Sequence, residues 1–128
     1  MKVSVIIPTY GHPDYLAKSI NSVINQTFKD WELIVVDDND PDTASRKQTE
    51  DLLTKMMGID SRIKYIRHDR NRNGAVARNT GFAAAEGEYI SLLDSDDEYM
   101  PMRLEKCLAA MENESDKIAG VYTGCEFR

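Results

Sequence analysis

The chain lacks any apolar run that could cross a membrane. Val5-Ile6-Ile7 and Leu33-Ile34-Val35-Val36 are strand-sized, far short of the roughly 20 residues that a bilayer span requires. Its opening residues, Met1-Lys2-Val3-Ser4-Val5-Ile6-Ile7-Pro8, hold too short an apolar core for a signal peptide and no small-residue cleavage site, so they read as a first buried strand. Cysteine is scarce. Cys107 and Cys125 form no C-x-x-C pair, and no His/Cys cluster has zinc spacing. Cys107 shares a helical face with Leu104, Leu108 and Met111 and reads as a small core residue. Two such thiols fit a reducing, cytoplasmic setting. A cationic excess is also missing: the net charge of -6 argues against generic nucleic-acid binding, which needs a basic surface. Glycine is thin where phosphates are often cradled. The loop after the first strand has Gly11 alone, so neither G-x-G-x-x-G nor a P-loop is present.

What is there fits one compact domain over residues 1–128, with 41% hydrophobic and 30% charged residues. Strands are expected at Val3 to Pro8 (stopped by the proline), Glu32 to Val36, Ile63 to Arg67, Tyr89 to Leu93 and Ile118 to Tyr122. Helices are expected between them. Leu16, Ile20, Val23 and Ile24 recur at helical spacing after Pro13; Leu52, Leu53 and Met56 mark a second helix ended by Gly58. Ala75 to Ala85 is a helix of small residues in which Gly81 allows close packing on the sheet, and Pro101 opens a fourth helix. Strands alternating with helices imply an α/β domain, with a mainly parallel sheet between two helical layers. The series stops soon after the fifth strand, so the domain is expected to be truncated there.

Ligands of open α/β sheets bind at the carboxyl ends of the strands. Four polar loops fall there: Pro8-Thr9-Tyr10-Gly11, Asp37-Asp38-Asn39-Asp40, His68 to Gly74, and Asp94-Ser95-Asp96-Asp97. Three aspartates within four residues repel one another unless a cation sits among them, and carboxylate oxygens suit Mg²⁺ or Mn²⁺. Asp94 and Asp96, two apart on a strand end, project to one face. Asp96 is the metal ligand expected first; Asp97 either joins it or, like Asp96 in the alternative, caps the helix leading to Pro101. From Arg62 to Arg78 there are six Lys or Arg residues against the single acid Asp69, a basic segment suited to phosphates or else to a solvated face. Arg70, Arg72 and Arg78 are its members nearest the strand ends. Two other aspartate-based readings fit less well. A phosphatase-like D-x-D nucleophile belongs on a first strand, and a receiver domain needs a Lys where Tyr122-Thr123-Gly124 stands.

In order and spacing, Val3-Ser4-Val5-Ile6-Ile7-Pro8-Thr9-Tyr10, Gln26-Thr27-Phe28, Trp31 to Asp38, Asn73-Gly74, Ala77-Arg78-Asn79-Thr80-Gly81, Glu86-Gly87-Glu88-Tyr89-Ile90 and Leu93-Asp94-Ser95-Asp96-Asp97 cover nearly the whole chain. Together they resemble the N-terminal half of a family 2 glycosyltransferase of the Rossmann-like GT-A fold, similar to the bacterial spore-coat polysaccharide type. The resemblance implies a nucleotide-diphospho-sugar donor, probed first as UDP-sugar, and a saccharide or lipid-linked acceptor. Pro8, Thr9 and Tyr10 would line the nucleotide pocket, and Asp38 would accept the imide N–H of uracil. Asp37 would support its loop. Arg78 would lie near base or phosphates, Asp94 and Ser95 near ribose or sugar, and Asp96 would hold Mn²⁺ or Mg²⁺ against the diphosphate. Transfer would invert the anomeric carbon, with a general base from the C-terminal half of the family, so no catalytic residue is assigned within these 128. The alternative is a fragment that binds nucleotide and metal without turnover. A cytoplasmic location follows, at most peripheral to the inner face of the membrane.

Overall fold

The structure is a computed structural model that describes residues 2–113 and Gly120. Its elements run β1 (Val3–Thr9), α1 (Pro13–Ile24), β2 (Trp31–Asp37), α2 (Ala44–Ile59), β3 (Ile63–Arg67), α3 (Gly74–Ala84), β4 (Tyr89–Leu92) and α4 (Arg103–Asn113). The strand expected over Ile118 to Tyr122 lies outside the described residues, as does Cys125.

All strand pairs are parallel, in the order β3-β2-β1-β4. Strand alternation divides the core in two. Val3, Val5 and Ile7 of β1 and Trp31, Leu33 and Val35 of β2 pack with Leu16, Ile20 and Val23 of α1, Leu53 of α2 and Leu104 of α4. Ile6, Ile34 and Val36 point the other way, against Ala77 of α3. The chain steps from β1 to β2 to β3 in one direction and then returns to place β4 on the far side of β1. Right-handed crossovers therefore put α3 on the face opposite α1 and α2. The reversal opens a crevice between the ends of β1 and β4, where a ligand of such a sheet belongs.

Two glycines fix how closely the layers approach. A Cβ on Gly81 would fall 2.4 Å from Ile6 Cγ2, which is how α3 reaches the sheet. One on Gly87 would meet the Ser4 backbone nitrogen at 2.7 Å. Three details differ from the sequence expectation. Pro8 does not stop β1, which continues to Thr9; β4 ends its pairing at Ile6–Leu92, so Pro8 lies where β1 is paired with β2 alone and a missing N–H is tolerated. Gly58 does not end α2 either, which runs one residue further and closes on the Asp60 N–H bonded to the Met56 carbonyl. Cys107 is half-buried, not core, because its face of α4 lies over the outer strand β4, where only Leu104 is fully covered.

At the amino end of the sheet, Glu32 is buried in β2 on the α3 side. It accepts from the Ser4 hydroxyl, from Lys64 Nζ at 2.7 Å and from the Glu86 N–H at 2.7 Å. Burial pushes its carboxyl up, but these donors outweigh it and hold the group below its ordinary value. A depressed carboxyl stabilises the fold above its unfolded value, and that contribution is lost as pH falls through the folded one. Urea unfolding should therefore show stability declining below about pH 5. Glu32→Gln should flatten part of the slope, with Asp60, held low by Arg62, supplying another part. An unchanged slope in the variant would remove Glu32 from this account.

Candidate functional site

The site is assembled by polar side chains that point inward. Helix α1 presents Ser19 and Ser22 on its buried side, and Gln26, just past its end, is buried too. Each holds part of the segment after β4. The Ser19 hydroxyl lies 2.9 Å from the Ser95 carbonyl and also reaches the Asp97 carbonyl. Ser22 Oγ accepts the Tyr99 N–H at 3.0 Å. Gln26 donates to the Met100 carbonyl at 2.7 Å and accepts the Leu104 N–H at 3.0 Å, so it caps α4 from the segment that follows α1. The acidic turn is thus pinned from below by its backbone, leaving its carboxylates free to face outward.

Those carboxylates converge. Asp94, Asp96 and Asp97 are exposed, and one oxygen of each lies within 4.8 Å of the others. Partial burial and then the neighbouring Asp96 and Asp94 charges push Asp97 above its ordinary value. The Asp97 N–H closes the turn on the Asp94 carbonyl at 3.0 Å. Neither Asp96 nor Asp97 caps α4, which begins only at Arg103. Three clustered oxygen donors fit a hard divalent cation. Arg78 of α3 approaches from the other wall, its Nη2 3.8 Å from Asp94 Oδ1. Ser95 is half-buried, tied to α1 through its carbonyl.

On the neighbouring strand, Thr9 is 2% exposed and its hydroxyl has no hydrogen-bond partner among the described residues, whereas Tyr10 is 61% exposed at the mouth. Pro8 is half-buried between them and the sheet. Gly11 and His12 both take positive φ, 67° and 47°, and the Gly11 N–H is anchored on Asn39 Oδ1 at 2.8 Å. This turns the chain sharply from β1 into α1.

Asp37 and Asp38, at the end of β2, are buried and engaged by the chain's own donors. Asp37 is fully buried and supports its loop, as expected: it pairs with Arg46 Nε at 3.1 Å and accepts from the Asn39 N–H and the Tyr65 hydroxyl. Asp38 was expected to face a base, yet it is 3% exposed and its carboxylate accepts from His68 Nδ1 and the Arg72 N–H, both at 2.8 Å, from the Asn73 N–H at 3.0 Å and from Asn71 Nδ2 at 3.2 Å. Four donors use up the acceptor sites of a carboxylate. In this arrangement Asp38 clamps the loop that leads into α3; receiving a base N–H requires one of those donors to leave.

Residues 4–126 match the family described as Glycosyl transferase family 2. The chain belongs to that family. It is 40% identical over 113 residues to the putative teichuronic acid biosynthesis glycosyltransferase TuaG of Bacillus subtilis, covering 88% of this chain and 43% of that protein. It is 40% identical over 124 residues to the poly(ribitol-phosphate) beta-N-acetylglucosaminyltransferase TarP of Staphylococcus aureus, covering 94% of this chain and 36% of the relative. Among solved structures, S. aureus TarS 1-349 in complex with UDP-GlcNAc superposes with a TM-score of 0.77 at 32% identity, over 88% of this chain and 32% of that one. The chain thus spans less than half the length of these relatives. The parallel sheet with helices on both faces is the GT-A arrangement of this glycosyltransferase family.

Sequence reasoning brought Thr9, Tyr10, Arg78, Asp94 and Asp96 to one edge of the sheet. It missed Ser19, Ser22 and Arg46, and read His68 only as part of a polar loop and Gln26 only as part of a motif. The available signal was a set of hydrogen-bonding residues at core positions of a helical period, which are buried only when partnered.

Proposed function

We propose that this family 2 glycosyltransferase domain binds a UDP-sugar together with Mn²⁺ or Mg²⁺ and serves inverting transfer of the sugar to an acceptor hydroxyl during cell-envelope glycan synthesis. The convergence of Asp94, Asp96 and Asp97 at the end of β4, facing Arg78 beside the reversal in strand order, carries this reading. Asp96 would hold the metal, with Asp97 beside it, and the bound cation would supply Lewis-acid stabilisation of charge on a departing diphosphate. Arg78 and the basic loop residues Arg70 and Arg72 add positive charge on the same side. Asp94 and Ser95 take the ribose or sugar end. Pro8, Thr9, Tyr10 and Asp38 form the nucleotide end, where the exposed Tyr10 ring offers a stacking contact. Complexes of a relative with UDP and with UDP-GlcNAc support a uridine donor, and relatives named for wall-polymer synthesis support a saccharide or lipid-linked acceptor. No described helix is long and apolar enough to cross a membrane; we place the reaction at the cytoplasmic side.

A ligand that binds only the folded state stabilises it by mass action, by about 2.7 kcal/mol at a hundred times its Kd. UDP with Mn²⁺ should therefore raise the Tm by roughly 10 °C for a domain of this size. Chelation of the metal should abolish the shift. No shift at millimolar UDP overturns the donor-site reading.

A further inference from the structure

We infer that His68 is a positioning residue for the nucleotide end of the site, working as a strut that locks Asp38 to helix α3. The inference rests on the donor-site reading above. His68 follows β3 and is 6% exposed. All four of its polar groups are engaged, two by the end of β2 and the residue after it, one by α2 and one by α3. Its N–H donates to the Asp37 carbonyl at the end of β2, at 2.9 Å. Its carbonyl accepts from Arg46 Nη2 of α2 at 2.7 Å. Its ring bridges Asp38 Oδ1 and Thr80 Oγ1, both at 2.8 Å. Asp38 is an acceptor, so Nδ1 carries the hydrogen of the first bond; Nε2 faces the Thr80 hydroxyl, whose single hydrogen serves either this bond or the one to the Val76 carbonyl.

The placement matters because of what hangs from each end. Asp38 fixes the N–H groups of Arg72 and Asn73, and Asn73 in turn caps α3 by accepting the Val76 N–H at 3.1 Å. Thr80 sits in α3 two residues beyond Arg78 and bonds back to the Val76 carbonyl at 3.0 Å. The strut therefore fixes one end of the basic loop to β2 and the other to the helix that presents Arg78. A buried hydrophobe of similar volume would fill the space yet leave the Asp38 carboxylate one donor short and free of α3. The metal end meets α3 only at Arg78, whose Nη2 lies 3.8 Å from Asp94 Oδ1; among the described residues no bond of His68, Asp38 or Thr80 reaches the Asp94, Asp96 or Asp97 side chains.

Three variants of the whole chain separate positioning from packing. His68→Leu should weaken UDP binding in Mn²⁺, read by calorimetry, about tenfold, and amide exchange at Arg72 and Asn73 should accelerate, while Mn²⁺ affinity read by its paramagnetic relaxation stays unchanged. His68→Asn keeps an N–H near the Nδ1 position and should restore most of both losses. Thr80→Val breaks only the far end and should cost UDP binding a few-fold; it carries the test if His68→Leu does not fold. UDP affinity within twofold of wild type in folded His68→Leu, or in Thr80→Val where only that variant folds, overturns the inference. So does unchanged exchange at Arg72 and Asn73 in that variant, whatever UDP does. Equal loss of Mn²⁺ and UDP binding overturns it too, since that signals general loosening. If the wild-type chain itself binds no UDP, the donor-site reading fails, and the exchange data still decide whether the strut exists.

Discussion

Arg46→Met should destabilise the fold by about 3–5 kcal/mol, the range expected when one partner of a buried ion pair is removed. Asp37 is fully buried, and Arg46 supplies its only countercharge among the described residues, with a side chain 7% exposed. The Nε–carboxylate contact at 3.1 Å is an ion pair without hydrogen-bond alignment, so charge rather than directionality is what the variant removes. The rest of the guanidinium donates to the Asn39 and His68 carbonyls, and both are orphaned in the variant. Methionine fills similar space, which separates lost charge from a cavity. Urea unfolding at neutral pH reads the effect, and a loss under about 1 kcal/mol would show that water or rearrangement replaces the pair. Adding Asp37→Asn should recover part of the loss, because the uncompensated charge goes with it. The same bonds hold the loops after β2 and β3 together, so surviving folded protein should also bind UDP less tightly.

Arg46 shows where sequence reading stops. The strands were legible because β1 and β2 bury both faces, giving nearly unbroken apolar runs. The acidic turn was legible because its members are sequence neighbours and their mutual repulsion is visible without a structure. Gly81 was legible because a lone glycine among alanines in a helix has few other uses. By contrast, Asp38 and the donors that close it lie 30 to 35 residues apart. Nothing in a linear pattern distinguishes an aspartate that awaits a ligand from one already saturated by its own chain. Amphipathic reading also assigns polar residues outward, and Ser19, Gln26, Thr49 and Arg46 all reverse that rule. Each hydrogen-bonding side chain at an inward position could be scored only once its partners were known. Pro8 misled for a related reason: whether a missing N–H matters depends on whether a neighbouring strand reaches that far, which is a property of β4 and not of β1.

Asp96→Ala should remove Mn²⁺-dependent UDP binding by at least about a hundredfold, some 2.8 kcal/mol, while leaving the fold as stable as before or slightly more so. The two halves of this expectation have one cause. Three carboxylates whose oxygens lie within 4.8 Å of one another repel by roughly 1 kcal/mol per pair even in water. Without a cation, that repulsion is a small cost borne by the folded chain, and deleting Asp96 relieves two of the three pairs. With a cation, the same oxygens become ligands, and deleting Asp96 removes the carboxylate expected to hold the ion directly, in a site that relies on one or two carboxylates and the diphosphate. Stability without metal and affinity with metal should therefore move in opposite directions. Asp97→Asn discriminates further. It keeps the backbone bond that closes the turn and removes only the charge, so a metal role predicts weaker Mn²⁺ binding, whereas a purely structural role predicts none. Asp94→Asn should reduce UDP affinity through Arg78 and the ribose or sugar end, with a smaller effect on the metal. Unchanged Mn²⁺ binding in Asp96→Ala would move the cation to another set of ligands and, with it, the diphosphate end of the pocket.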